Sequence, residues 1–227
     1  MERVRSQWVV NYELDTAIQV LSGDLDLDTF KPCLPRSYER FLGATYFNRK
    51  SERFAGQGEE IRAIWYFRAA LAHFQGILDL VKSDIPSESK QIWNRSEINK
   101  NLYSHNLVYT MTRVRNIALH TGKLKCSMQD WKITVMPGGP QDATHLVLDA
   151  ISLDYFEDKD KDQVTPEVID WFNTQASMWS ANALLTESCF ILMAALNNFV
   201  RMNVQHIGQQ NDELDMIRCA ERALSCE

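Results

Sequence analysis

The spacing of apolar positions changes along the chain, and the changes divide it. From Gly58 to Lys82, Ile61, Ile64, Trp65, Phe67, Leu71, Phe74, Leu78 and Val81 recur at helical intervals and predict a long helix with a wide apolar face. Residues 7–21 carry Trp8, Tyr12, Ala17, Ile18 and Leu21 at similar spacing and predict a first helix, closed by Ser22-Gly23-Asp24. Phe30 to Pro35 holds two prolines and predicts an irregular connection. Arg36 to Arg53 interleaves basic residues with Tyr38, Phe41, Tyr46 and Phe47. It reads either as an amphipathic helix with its rings turned inward or as a surface whose rings stack on single-stranded RNA. After a polar break at Asp84, Pro86, Ser87 and Ser89, a second long helix is expected from Ser96 or Glu97 to about His120, ended by Gly122.

Beyond Gly122 the period drops to two. Trp131 to Met136 alternates, Pro137-Gly138-Gly139-Pro140 is a turn signal, and Thr144 to Tyr155 offers a second extended run. This predicts a small antiparallel β-hairpin inserted at about 131–155. Glu157 to Asp162 reads as a solvated loop; it lacks the glycine and the terminal glutamate that a calcium loop needs. Thr165-Pro166-Glu167 then starts a helix, with Thr at the N-cap and Pro at the first helical position. That helix is expected to run past Arg201 through Trp171, Met178, Leu185, Phe190, Met193 and Phe199. Between Leu184 and Leu196 its apolar residues surround the axis, which places it centrally or at an interface. Residues 212–227 read as a short charged helix. The expected fold is mainly α, a helical bundle with one small antiparallel β-hairpin, and the expected organisation is a single domain over 1–227.

Composition narrows the class. Of 227 residues 45% are apolar, enough for a sizeable core, and 24% are charged, an ordinary soluble balance. Cys33, Cys126, Cys189, Cys219 and Cys226 are odd in number, scattered and without a C-x-x-C pair, which predicts reduced thiols. The start, Met1-Glu2-Arg3-Val4-Arg5, has no apolar signal core, and the longest apolar run, Cys189 to Leu196, is too short to span a bilayer. The expected location is the cytoplasm, with no membrane contact. There is no G-x-S-x-G, Walker loop, H-E-x-x-H or dinucleotide fingerprint, and Gly56-Gln57-Gly58 reads as a turn before a helix. His73, His105, His120, His145 and His206 lack metal-ligand spacing. Any catalysis is then expected to use side-chain acid–base and electrostatic chemistry, with no metal and no cofactor.

Charge singles out one stretch. The chain has a formal net charge of -6, yet Ile98 to Gln129 contains no Asp or Glu while Lys100, Arg113, Arg115, Lys123 and Lys125 are positive. A basic island in an acidic chain is a candidate nucleic-acid or phosphate site. On the predicted helix Tyr103, Leu107, Met111, Val114 and Ala118 form a core stripe, and His105, Tyr109, Thr112, Arg113, Asn116 and His120 a polar one. Imidazole, phenol, hydroxyl and amide suit a groove, or a polar seam satisfied by neighbouring helices.

Within the island, Arg115-Asn116-x-x-x-His120 resembles the signature of the HEPN superfamily (higher eukaryotes and prokaryotes nucleotide-binding domains): an arginine, four to six residues, then a histidine, commonly with a polar residue directly after the arginine. The match covers these few residues. Members of that family are helical domains, often dimeric, and many are metal-independent ribonucleases of toxin–antitoxin, abortive-infection and RNA-processing systems. The resemblance implies an endoribonuclease acting on single-stranded or loop RNA by attack of the 2′-OH, with a 2′,3′-cyclic phosphate on the product. His120 would transfer the proton, Arg115 would hold the phosphate and Asn116 would orient His120 or the ribose. Arg113, His105, Tyr109, Lys123 and Lys125 are candidate substrate contacts.

The resemblance further implies a homodimer in which two motifs meet, and an antitoxin or defence partner. Its alternative is a non-catalytic helical module that binds nucleic acid or protein. Arg68-x-x-x-x-His73 and Arg201-x-x-x-x-His206 share the spacing, but Ala69 and Met202, not an amide, follow those arginines. On a straight helix positions 115 and 120 lie about 140° apart, at about 100° per residue, whereas Arg113 lies almost in line with His120. Arg113 is therefore the other candidate partner, and Arg115 would need a dimer axis, its own length or a local break in the helix.

Overall fold

The computed structural model describes residues 27–118, 123–135, 139–156, 164–207 and 221. The helix expected over 7–21, the helix end at Gly122, the loop at 157–162, the helix over 212–227 apart from Glu221, and His120 itself lie outside the described residues. Helices α1 (Leu27–Cys33) and α2 (Pro35–Gly56) occupy the region expected to be irregular. Pro35 is accommodated by position, opening α2 where a backbone N–H has no intrahelical acceptor, whereas Pro32 lies inside α1 and removes one of its backbone donors. Phe30, Cys33 and Leu34 are wholly buried, so apolar burial holds this bend together.

Helix α2 buries Tyr38 and Phe41, as an inward-facing amphipathic helix should. Gly58, at φ +74, turns the chain into α3 (Glu60–Asp84), a conformation that glycine adopts without strain. The two helices pack closely. A Cβ on Gly43 would stand 2.3 Å from the His73 Nδ1 of α3, so only glycine fits there. The carboxylate of Asp84, which reads in sequence as part of a polar break, is buried and caps α2. It accepts from the Arg36 and Ser37 N–H groups at 3.2 and 2.8 Å and from the Ser37 Oγ at 2.7 Å. Burial raises its pKa, and those hydrogen bonds work in the opposite direction.

The long helix expected from 96 to 120 is broken. A 3₁₀ turn at Ser87–Ser89 and α4 (Lys90–Arg95) lead to α5 (Glu97–Ser104) and α6 (Asn106–Asn116). Ser96 caps α5, its Oγ accepting from the Asn99 N–H at 3.1 Å, which agrees with the predicted start. His105 is extended, at φ -77 and ψ 111, and separates α5 from α6 although no Gly or Pro marks the break.

The hairpin is present but displaced. Strands β1 (Cys126–Val135) and β2 (Gly139–Leu148) pair antiparallel, from Cys126 opposite Leu148 to Val135 opposite Gly139. The extended run expected to reach Tyr155 stops at Leu148, and Leu153–Tyr155 forms a 3₁₀ turn. Leu146 and Leu148, with Cys126 and Met128, join the main core from one face; Trp131 and Val147 form a small second cluster on the other.

The last helix is also two. Thr165 caps α7 (Pro166–Met178), its Oγ1 accepting from the Val168 N–H, as its sequence predicts. Trp179 is then extended, and the Ser180 Oγ accepts from the Ala183 N–H at 3.1 Å to start α8 (Ala181–Ile207). Helix α8 is central: Leu185, Leu192, Met193, Leu196, Phe199 and Val200 are fully buried, and α1, α2, α6 and β2 pack around it. Judged by the eight-residue run alone it looked too short for a bilayer, but by length and composition it reaches that threshold, with a mean hydropathy of 1.5. In the fold 56% of that window is buried, which makes it a core helix here.

Candidate functional site

The site is built on α6. Leu107, Val108, Met111 and Val114 are buried and lock the helix against α3 and α8, as the predicted core stripe requires. Thr110 is buried as well. At Ile117–Ala118 the backbone leaves the α-helical pattern for a π turn. The Ile117 N–H points back to the Arg113 and Val114 carbonyls as the α-helix ends. A π turn closes bonds five residues apart instead of four and inserts a local widening into the helix.

Arg113, Arg115 and Asn116 stand half-buried immediately before this widening. The Arg115 Nη1 donates to the Asn116 Oδ1 at 3.0 Å, so arginine and amide form one donor–acceptor unit. From α3, Asp79 faces Arg115. Partial burial pushes the Asp79 carboxyl up, while the Arg115 charge and a hydrogen bond from Gln75 pull it down. The Arg113 guanidinium lies over the Tyr109 ring, 4.8 Å from its centroid. The two arginines therefore diverge: Arg115 is directed toward Asn116 and α3, and Arg113 toward the aromatic ring of its own helix.

The other predicted contacts are spread around this centre. Tyr109 is only 5% exposed, so its ring supports Arg113 from inside the bundle and offers little surface to a ligand. His105 is exposed at the break between α5 and α6. Lys123 is exposed, donates to the Asp154 carbonyl at 3.4 Å and lies over the Tyr155 ring, while Lys125 is exposed at the foot of the hairpin. The acid-free run in sequence is thus not acid-free in space, since Asp79 approaches it from α3. Asp79 is the residue that sequence reading missed; its only signal was an acid set between Leu78 and Leu80 in the apolar run from Ile77 to Val81.

The two competing arginine–histidine pairs are placed differently. Arg68 bears on the Cys126 thiol at the start of β1, whereas His73 turns to α2 and packs against Phe47 at 5.1 Å. Burial lowers the His73 pKa, the nearby Arg40 lowers it further, and Glu39 opposes them. Arg201 and His206 are both exposed, with a non-helical Asn203 between them. The surface groove of about 550 Å³ near Ile92, Arg95, Ile98, Phe199 and Met202 contains none of the predicted site residues. Among the described residues no cluster of three or more His, Cys, Asp or Glu side chains could hold a metal ion.

Comparison of the chain with protein-family models, with curated proteins and with solved structures yields no match in any of the three.

Proposed function

We propose that the chain is a metal-independent endoribonuclease of HEPN type, cutting single-stranded or loop RNA by attack of the 2′-OH on the adjacent phosphate. The observation that carries this reading is the Arg115–Asn116 unit set directly before the π turn at Ile117–Ala118. On a regular helix positions 115 and 120 diverge by about 140°. The π turn at Ile117–Ala118 departs from that regular geometry directly after Arg115 and Asn116. In this reading Arg115 neutralises the phosphate as it becomes pentavalent, Asn116 fixes the guanidinium plane, and His120 moves a proton to or from the ribose oxygens. Arg113, held over Tyr109, contributes longer-range positive potential. Two copies would place two such units on one polyanion, and a protein antitoxin or defence partner belongs to the same reading.

A second reading has its own support. Arg115 already has Asn116 and Asp79 as neighbours within the fold, and such an arrangement also serves a module that binds nucleic acid or protein without turnover. Incubation of the purified chain with mixed RNAs and a chelator separates the two. Cleavage to cyclic-phosphate ends, with DNA of the same sequence left intact, supports the nuclease. Salt-sensitive binding without cleavage supports the module.

A further inference from the structure

Helices α1 and α2 meet at Leu34, and the helical bonding pattern crosses the junction. The Leu34 N–H donates to the Phe30 carbonyl and the Tyr38 N–H to the Leu34 carbonyl, each at 2.9 Å. Lys31 and Tyr38 stand two helical turns apart, so both project from the same side of this corner. The Tyr38 ring is wholly buried, edge-on to Phe30 and beside Phe41, with centroids 6.1 Å away in both cases. The Lys31 ammonium lies 5.2 Å from the centroid of the same ring. An ammonium is attracted to an aromatic face, which narrows the positions open to this flexible side chain. The corner therefore sets one ammonium and one phenol hydroxyl side by side, two donors suited to a carboxylate.

Glu221 supplies that carboxylate. Its Oε1 accepts from the Lys31 Nζ at 2.6 Å and from the Tyr38 hydroxyl at 3.1 Å. Burial first, then the Glu221 charge and this hydrogen bond, raise the Tyr38 pKa, so the phenol keeps its proton and remains a donor. Positions 31 and 221 are 190 residues apart in the chain, so nothing local in sequence holds them together. The Lys31 and Glu221 side chains are 25% and 29% exposed, and water reaches both. Asp84 makes the contrast: its carboxylate is bound at the start of the same α2, but it is buried and cannot leave without opening the core. The partly exposed pair can separate while Phe30, Cys33 and Leu34 keep the corner packed.

We propose that the α1–α2 corner is a carboxylate-binding site built by Lys31 and Tyr38, with Glu221 of the same chain as its reversible occupant. One side chain then ties residue 221 to the first two helices, and it lets go before the rest of the fold opens. The binding comes from a charge-assisted hydrogen bond reinforced by a neutral donor, on a receptor already shaped by the aromatic packing of Tyr38. The inference stands apart from the ribonuclease reading, and either can fail without the other.

Hydrogen exchange followed by mass spectrometry tests it on the full chain, read at the peptide that carries residue 221. E221Q and K31Q should each speed exchange there about tenfold, the loss of one charge-assisted hydrogen bond. Exchange within α3 and α8 and the midpoint of chemical denaturation should stay at wild-type values, because the release is local. The charge swap K31E/E221K should bring exchange back to within about threefold of wild type, since it restores the attraction with the signs exchanged. Single variants that exchange like wild type, an acceleration spread equally through α3 and α8, or a swap no slower than the single variants would each overturn the proposal.

Discussion

Two polar clusters on neighbouring parts of the bundle use the same residue type for opposite ends. Between α2 and α8, Asn48 and Asn182 are 6% and 2% exposed and clasp one another. The Asn48 Nδ2 donates to the Asn182 carbonyl at 2.9 Å and to the Thr186 Oγ1 at 3.0 Å, and the Asn182 Nδ2 donates to the Asn48 carbonyl and Oδ1 at 3.1 and 2.9 Å. At the end of α6, Asn116 is half-buried, its Oδ1 takes a guanidinium bond at 3.0 Å, and the backbone beside it widens into a π turn. The first cluster is closed on itself and contributes stability and helix register. The second combines positive charge, partial exposure and irregular backbone, the combination on which the proposed function rests.

That contrast is sharpest when each cluster is broken in turn. Arg115→Ala should lower RNA cleavage by about 10²–10³-fold, the cost of losing one donor to a developing oxyanion, while thermal denaturation stays close to wild type. Arg113→Ala should cost less; a larger loss there would move the phosphate-holding role to Arg113. Asn182→Ala should do the reverse. It removes the partner of a buried amide and should destabilise by about 2–3 kcal/mol in chemical denaturation, with cleavage per folded molecule unchanged.

The smallest expected effect is a pH dependence located outside both clusters. His73 and His145 have pKa values held below the ordinary 6.5, burial being the leading cause for each and Arg40 adding to it for His73. The folded state therefore binds fewer protons than the unfolded one, and stability rises with pH across this range. The contribution is fully present above about pH 6.5 and is lost as pH falls through the lowered folded values. Denaturation midpoints should drop between pH 7 and pH 5, and His73→Gln should flatten that slope. An unchanged slope in His73→Gln would assign the effect to other groups.

The elements that were legible in sequence are those where local chemistry and burial agree. The α3 periodicity, the Thr165-Pro166 start and the Ser96 start each carry their own signal, and the structure places helices there, although Ile61 and Trp65 of the expected α3 face are exposed. The hairpin was visible by its alternation, but its lower end was not, because Cys126 to Asp130 joins β1 through pairing with β2 and not through its own pattern. The breaks at His105 and Trp179 were hidden for a related reason. Neither contains Gly or Pro, and each is an extended residue between two helices. Asp84 looked like loop polarity until α2 brought two backbone donors and a hydroxyl to it. At the candidate site, charge and the Arg115-Asn116 pair could be read from sequence, whereas the approach of Asp79 and the burial of Tyr109 depend on how α3 and α6 pack.

The central claim, that the end of α6 serves RNA chemistry, is tested most directly by one comparison. Wild type and His120→Ala, each at matched folded concentration, are incubated with fluorescently labelled single-stranded RNA in excess chelator, and the product ends are analysed. Wild type should cut and leave 2′,3′-cyclic phosphate ends, and His120→Ala should be slower by at least about 10²-fold with an unchanged circular dichroism spectrum. Wild-type protein that binds this RNA but never cuts it, or a His120→Ala variant that cuts at the wild-type rate, would contradict the account.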